Sequence, residues 1–336
     1  MNRMKRLKYA LRTAAVLVAA AVCAGCANSA PEPEMPAETT IVSTDTAVTV
    51  SQDNTPEETT GTAAGYIPHS ELLDCLYYDD SDFYVYNERS KVYDTDGAVL
   101  CGVAPHHLAA GHFIAGMYRT AAETRDDIET VVLIAPMHYD TLNPLCTSFK
   151  SRSTTFGIAE TDTEITQMFV SGLGAAEDDY MTEFDHSASS HIPFIKYYLP
   201  DAKIACLLVS PKERADIPQR LSKLLYEISQ KKSCLFAFSI DFSHYLEPPD
   251  ANAHDKETNE AVLSGNTGLI ETFTNSNVDT PYCLSTFVRL SALLGGKTIS
   301  ADNGNTFTVG SVPYSRSQFP EGVTSYFVFL SCAERT

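Results

Sequence analysis

Short runs of this sequence are apolar at every position, and this constrains the fold more than any other feature of the chain. Examples are VVLIAP at 131–136 and CLFAF at 234–238, which are rich in β-branched or aromatic residues. A strand without a polar side must be covered on both faces, as the central strands of α/β sheets are. The predicted strands are KVYD, AVLCGVAP, VVLIAP, KIACLLVS, CLFAFSIDF, FTVGSV and SYFVFLS.

Amphipathic helices are predicted between these strands. The segments 108–123, 162–173, 216–232 and 285–296 carry apolar residues at helical spacing, and the last of them ends at Gly295 and Gly296, as a helix C-cap would. The alternation of strands and helices predicts an α/β fold in which helices cover both faces of a central mixed β-sheet.

The first 26 residues have the pattern of an export signal. A basic segment is followed by the apolar stretch AAVLVAAAVCAG, which is too short for a stable membrane span. Ala24 and Gly25 directly precede Cys26, as in the lipobox of bacterial lipoproteins. We therefore expect a lipoprotein signal peptide at 1–26 and an extracytoplasmic protein anchored to the bacterial cell membrane by lipidated Cys26; the alternative is an unlipidated secreted protein.

Two further regions follow the predicted signal peptide. Residues 27–65 are dominated by Ala, Pro, Glu, Thr and Ser, so they are predicted to form a disordered tether. Residues 66–336 suit one α/β domain. The formal net charge of the chain, −19, argues against a nucleic-acid partner.

Seven cysteines remain once Cys23 and Cys26 are set aside. An odd number in an exported chain implies at least one thiol outside any disulfide. Cys206 and Cys234 lie in apolar strand-like runs and are expected to be small core residues.

Histidine and aspartate residues follow three of the predicted strands. His106 and His107 end VAPHH, His138 ends LIAPMH, and Asp241 and His244 end SIDFSH. Because α/β sheets bind ligands beyond the carboxyl ends of their strands, these side chains are expected to converge on one site, whose best-suited occupant is a metal ion. Asp241 would orient an imidazole ligand and His244 would act as an acid or base.

The segment DHSASSHIPF contributes two more histidines. His186 is a candidate general acid or a hydrogen-bond donor to a ligand, whereas His191, just before Ile192 and Pro193, is expected to be structural. Cys283 directly precedes a predicted helix, where backbone amides favour a thiolate, so it is a candidate nucleophile or metal ligand.

Together these fragments resemble the Memo family, the protein B component of the AmmeMemoRadiSam system. The resemblance runs from about Val103 to Leu330, and it implies the fold of class III extradiol ring-cleaving dioxygenases. It also implies an iron or copper ion held by His106, His138 and Cys283. Asp241, His244 and His186 match residues that line that site.

The sequence departs from the family pattern at two of these fragments. His107 and Leu108 follow His106 where family members continue as PHAGY, so His107 would either occlude the cavity or add a ligand. The Gly-Arg-His-Pro-like continuation usual after the cysteine is absent at Cys283.

Three functions are compatible with these features. The leading hypothesis is a membrane-tethered, metal-binding protein that carries out redox or dioxygenase-type chemistry on an unknown small molecule, in which His244 moves a proton. The alternatives are a non-enzymatic surface lipoprotein that binds a metal, a small molecule or a peptide, and a zinc hydrolase.

Overall fold

An eight-stranded mixed sheet forms the centre of the part of the chain that the computed structural model describes. That part comprises residues 71–76, 78, 80–139, 142–211, 216–311 and 313–333, all within the compact unit Ala63–Thr336. The predicted signal peptide, Cys26 and the predicted tether lie outside the described residues. Within the described ranges, no helix combines the length and apolarity needed to cross a membrane.

The sheet has the strand order β4-β3-β5-β2-β6-β1-β8-β7. Strands β5, β2, β6 and β1 are parallel neighbours, whereas β3, β8 and β7 each introduce an antiparallel pairing. The strands are β1 Val99–Ala104, β2 Thr130–Pro136, β3 Leu145–Thr147, β4 Ala176–Glu177, β5 Lys203–Val209, β6 Cys234–Ser239, β7 Gly296–Asn305 and β8 Ser325–Ala333.

Helices occupy most of the connections between strands, and a short 3-10 turn, Leu108–Ala110, precedes the second of them. The α-helices are α1 Asp80–Arg89, α2 Gly111–Thr124, α3 Thr163–Leu173, α4 Asp179–Phe184, α5 His186–Ser189, α6 Ile192–Tyr198, α7 Ile217–Ser229, α8 Pro248–Leu263, α9 Thr267–Ile270, α10 Pro281–Leu293 and α11 Thr306–Val309.

Apolar side chains fill the space on both faces of the sheet. Along β2, Val131, Leu133 and Ala135 belong to one buried cluster, which includes side chains of α2 and α6. Val132 and Ile134 belong to a second cluster, which includes side chains of α3, α7 and α10. This alternation is why β2 has no polar side, and it confirms the predicted fold class.

Most predicted elements form, with exceptions near the ends of the domain. The predicted strand KVYD is wrong, since residues 91–94 form no strand. The predicted strand FTVGSV is also wrong, because Asn305 caps the short helix α11 through a reciprocal capping box with Thr308. The sequence did not predict β7, a mostly half-buried edge strand that pairs with β8.

Three adjacent parallel strands end level with one another. Ala104 of β1 pairs with Ser239 of β6, and Ile134 of β2 pairs with Phe238 of β6. The segments that follow β1, β2 and β6 therefore leave the sheet side by side, at what we term the carboxyl edge. This places the predicted site residues within reach of each other.

Candidate metal centre

Three histidines converge at the carboxyl edge. His106 lies two residues beyond β1, His138 lies two residues beyond β2, and His186 is the first residue of α5. One ring nitrogen from each lies within 4.8 Å of the others. Their ring centroids are 4.2 Å apart for His138 and His186, 4.9 Å for His106 and His138, and 5.3 Å for His106 and His186. Such a set can ligate one metal ion.

Hydrogen bonds fix the tautomer of His106. The hydroxyl of Ser239, the last residue of β6, donates its hydrogen to the carbonyl of Ser187 at 2.7 Å. Because that hydrogen is committed, Ser239 Oγ must accept from Nδ1 of His106, which lies 3.0 Å away. The Nε2 atom of His106 therefore presents a lone pair to the site.

Asp185 holds His138 in a corresponding way. This carboxylate is fully buried, and it accepts from the backbone amide of His138 at 2.6 Å and from its Nδ1 at 3.0 Å. Burial raises the pKa of Asp185, but its bonds to His138 outweigh that effect and leave the pKa below its usual value. A carboxylate behind an imidazole is the common support of a metal-ligating histidine, because it orients the ring and makes it more basic.

Two buried carboxyl groups flank Nε2 of His106. Asp241 Oδ2 is 3.5 Å from this nitrogen, and Asp279 Oδ2 is 3.6 Å from it. Asp241 Oδ1 accepts from the amide of His106, whereas Asp279 Oδ2 accepts from the amide of Asp241, each at 3.1 Å. Burial raises the pKa of Asp241 to about 7, and burial together with the nearby Asp241 raises the pKa of Asp279 well above its ordinary value. The pair therefore lies where a compensating cation is favoured.

Burial favours the neutral form of His106, His186 and His244 near pH 7. It lowers the pKa of His106 well below its usual value, and the neighbouring histidines add to this effect. Burial likewise lowers the pKa of His186 and of His244 to about 4 in each case. Neutral imidazoles have the lone pairs that metal ligation and proton acceptance require.

His244 and His107 border the three histidines without joining their group. His244 Nδ1 is buried and forms no hydrogen bond with any residue that the structure describes. The ring of His107 shares a hydrogen bond of 2.6 Å with the hydroxyl of Tyr326. His107 is thus directed toward β8, and its ring is not one of the three that converge.

His191 has a structural role, as the sequence predicted. Its ring is fully buried, and Nε2 donates to the carbonyl of Pro105 at 2.9 Å. Since that bond requires the hydrogen on Nε2, Nδ1 accepts from the hydroxyl of Tyr118, also at 2.9 Å. The Tyr118–His191 pair thus supports the backbone directly before His106.

Cys283 does not join the histidines, in contrast to the ligand set implied by the resemblance. It lies in the first turn of α10, is 1% exposed, and belongs to the apolar cluster that covers one face of the sheet. Burial raises the pKa of its thiol to about 12, as expected for a cysteine in an apolar core. All seven cysteines in the described ranges are free, and Cys206 and Cys234 are core residues as expected.

Two residues that the structure brings to the site, Asp185 and Asp279, are not assigned a role from the sequence. Asp185 directly precedes the candidate His186. Asp279 lies in VDTPYC, four residues before the candidate Cys283. A signal was present, because Asp279 precedes a Pro-initiated helix, but spacing along the chain does not show which of the two side chains enters the site.

The chain is similar to a family described as Memo-like protein. The family model matches residues 84–297, more than half of the 336-residue chain. A MEMO1 family protein of Archaeoglobus fulgidus is 29% identical over 50% of this chain and 64% of its own length. A MEMO1 family protein of Aquifex aeolicus is 28% identical over 50% of this chain and 66% of its own length. The chain thus spans just under two thirds of the length of these relatives.

One similar solved structure is that of an uncharacterized protein from Escherichia coli K12. The likeness covers 69% of this chain and 99% of that chain, with 14% sequence identity and a TM-score of 0.48.

Proposed function

Since this chain belongs to the Memo-like protein family, we propose that its domain binds a transition-metal ion through His106, His138 and His186 and acts as a metal-dependent enzyme on a small molecule. The observation that carries this proposal is the convergence of three imidazole nitrogens within 4.8 Å. Two of these rings are held at Nδ1 by Ser239 and Asp185, so that Nε2 of each is the atom left to bind.

The charge distribution around His106 fits a bound cation. Its Nε2 lone pair faces two carboxyl oxygens at 3.5 and 3.6 Å, and burial disfavours the charged form of both acids, so this arrangement is stabilised either by protons on the carboxyl groups or by a bound cation. Imidazole suits iron, copper and zinc. We propose iron or copper, with zinc as the alternative; when bound, such an ion supplies Lewis-acid chemistry, and iron or copper supplies redox chemistry as well.

The surrounding residues provide orientation and a group for proton transfer. Asp185 and Ser239 fix the rings of His138 and His106, which limits the entropy lost when the site closes on a ligand. His244 is half-buried, and its Nδ1 is uncommitted toward the described residues, so it can accept or return a proton of a bound small molecule.

The proposed location is the outer side of the bacterial cell membrane, through lipidation of Cys26. Only the sequence of residues 1–26, a basic segment followed by an apolar one, supports this location. Metabolic labelling with a fatty acid should mark the wild-type protein and leave Cys26→Ala unlabelled. Equal labelling of both would contradict anchoring at Cys26.

Metal analysis of the full-length protein, purified anaerobically, tests the proposed site. We expect close to one equivalent of iron or copper in wild type and its loss in His138→Ala. His254→Ala is the matched control, because His254 lies partly exposed on α8 and is not one of the three converging histidines. Retention of the metal in His138→Ala, or a wild type that stays metal-free on reconstitution, would contradict the proposal.

The set of three histidines also matches the ligand number of catalytic zinc sites, which favours a zinc hydrolase as the second candidate. Zinc in the isolated protein together with hydrolysis under strict anaerobiosis would support that function. Metal binding without turnover of small molecules under any redox condition would instead support a binding protein.

A further inference from the structure

Asp279 is an acidic residue beside the three histidines: its Oδ2 is 3.6 Å from Nε2 of His106, although it is not part of the group whose ligand atoms all lie within 4.8 Å of one another. It lies in the loop between α9 and α10, two residues before α10 begins. Its amide donates to the carbonyl of Asp241 at 3.1 Å, and the amide of Asp241 donates to Asp279 Oδ2 at the same distance. This reciprocal pair fixes the loop to the end of β6 and brings the carboxyl group to the His106 side of the site.

The separation of Asp279 from His106 suits two ligands of one ion. Ligand atoms about 2.1 Å from a tetrahedral metal ion lie about 3.4 Å from each other. Asp279 Oδ2 is 3.6 Å from Nε2 of His106, which is too long for a strong hydrogen bond and close to this value.

The second oxygen of Asp279 lacks a partner. Oδ1 is buried and accepts no hydrogen bond from any residue that the structure describes. A buried carboxyl oxygen without a hydrogen bond is disfavoured, so such an atom points to a ligand. Asp241 Oδ2 lies at a similar distance, 3.5 Å, from Nε2 of His106, but neither oxygen of Asp241 is among the buried polar atoms without a hydrogen bond in the described residues, and its Oδ1 accepts from the amide of His106.

We infer that Asp279, rather than Cys283, supplies the anionic ligand beside His106, His138 and His186. This inference rests on the proposed metal site and indicates which metal ions that site favours. A carboxylate in place of a thiolate favours ferrous iron or zinc over copper(I), since hard oxygen donors do not select the soft cuprous ion. Asp279 and Asp241 together would balance the charge of a divalent ion held by neutral imidazoles.

Cobalt(II) titration of the full-length protein, stripped of metal with a chelator, tests the inference. A cobalt–thiolate bond gives an intense charge-transfer absorption in the near ultraviolet, whereas nitrogen and carboxylate ligands do not. We expect wild type to bind cobalt without this absorption and Cys283→Ser to bind with the same affinity. Asp279→Asn should bind about tenfold more weakly or worse.

The control for loss of a buried carboxylate is Asp162→Asn. Asp162 is 2% exposed and accepts from the hydroxyl of Thr130 at the start of β2, the end of that strand opposite His138. We expect this variant to keep the cobalt affinity of wild type. Circular dichroism of each metal-free variant establishes that it is folded before the titration.

Three results would overturn the inference. A thiolate absorption in wild type that Cys283→Ser abolishes would overturn the assignment of Asp279 and leave the metal site in place. Unchanged cobalt affinity in folded Asp279→Asn would do the same. Failure of wild type to bind cobalt at all would overturn the metal site, and with it this inference.

Discussion

At the residue scale, the site depends on side chains that support the histidines from behind. Asp185 accepts two bonds from His138 and also caps α5 by accepting from the amide of Ser187 at 3.0 Å. One carboxylate therefore fixes both the ring of His138 and the helix that begins with His186. This coupling explains why two histidines from distant parts of the chain keep one geometry.

Asp185→Asn should weaken metal binding by about 10- to 100-fold, because an amide orients the imidazole but cannot make it more basic. Isothermal titration with zinc or cobalt measures the change, and thermal unfolding of the metal-free variant separates it from a loss of folding. Metal affinity equal to that of wild type would show that Asp185 serves only the fold.

The positions of site residues at the ends of strands could be predicted from the sequence, whereas those of residues on loops and helix starts could not. Pro105 and Pro136 end apolar strands and so place His106 and His138 reliably at the carboxyl edge. His186 and Asp279 arrive from loops and helix starts, whose approach to the sheet depends on tertiary packing. Cys283 lies in the first turn of α10 and packs in the apolar cluster. Only the orientation of that helix determines whether its side chain faces the core or the site.

At the element scale, Asp162 connects α3 to the sheet. Its side chain caps α3 by accepting from the amide of Ile165 at 3.2 Å, and it pairs with Lys232 Nζ at 2.9 Å. Burial raises the pKa of Asp162, but the bonds from Lys232 and Thr130 outweigh this effect and hold the pKa below its ordinary value. The ionised form of Asp162 is thus stabilised by folding.

Asp162→Ala should destabilise the domain by about 1–3 kcal/mol near pH 7, through loss of the cap and of a buried charge-assisted bond. Because the pKa is lower in the folded state, this contribution is complete above about pH 4 and is lost as the pH falls through the folded value. Urea unfolding at pH 7 and at about pH 3 tests this. A difference between wild type and variant that does not shrink in acid would contradict it.

Elements with a strong apolar pattern were predictable, whereas edge elements were not. The strands β2, β5 and β6 are buried along nearly their whole length, and their sequences show it. Strand β7 contains Gly, Asn and Asp and is held by pairing with β8, so tertiary context outweighs its weak propensity. The predicted helix end at Gly295 is correct: α10 ends at Leu293, Leu294 is the C-cap, and Gly295 follows in the left-handed conformation with a φ of 67°.

At the scale of the whole molecule, the proposed site joins three parallel strands to two other segments of the chain. A ligand that binds only the folded state therefore stabilises the entire domain. At a free metal concentration of about 100 times the dissociation constant, this stabilisation is about 2.7 kcal/mol. For a domain of this size that corresponds to a rise in melting temperature of about 5–10 °C.

Thermal unfolding with and without added metal measures this linkage. We expect added metal to raise the melting temperature of wild type and a chelator to reverse this rise. In His186→Ala we expect no rise. His254→Ala should respond as wild type does. An equal rise in His186→Ala would show that the metal binds elsewhere.

Anomalous diffraction from crystals of the metal-loaded protein, recorded at the absorption edge of the metal, tests directly whether the three histidines bind one metal ion. We predict one strong anomalous peak about 2.0–2.2 Å from ring nitrogens of His106, His138 and His186, with a carboxylate oxygen of Asp279 beside it. A peak bonded to Cys283 Sγ would contradict the assignment of Asp279. A peak remote from the three histidines would contradict the metal centre itself.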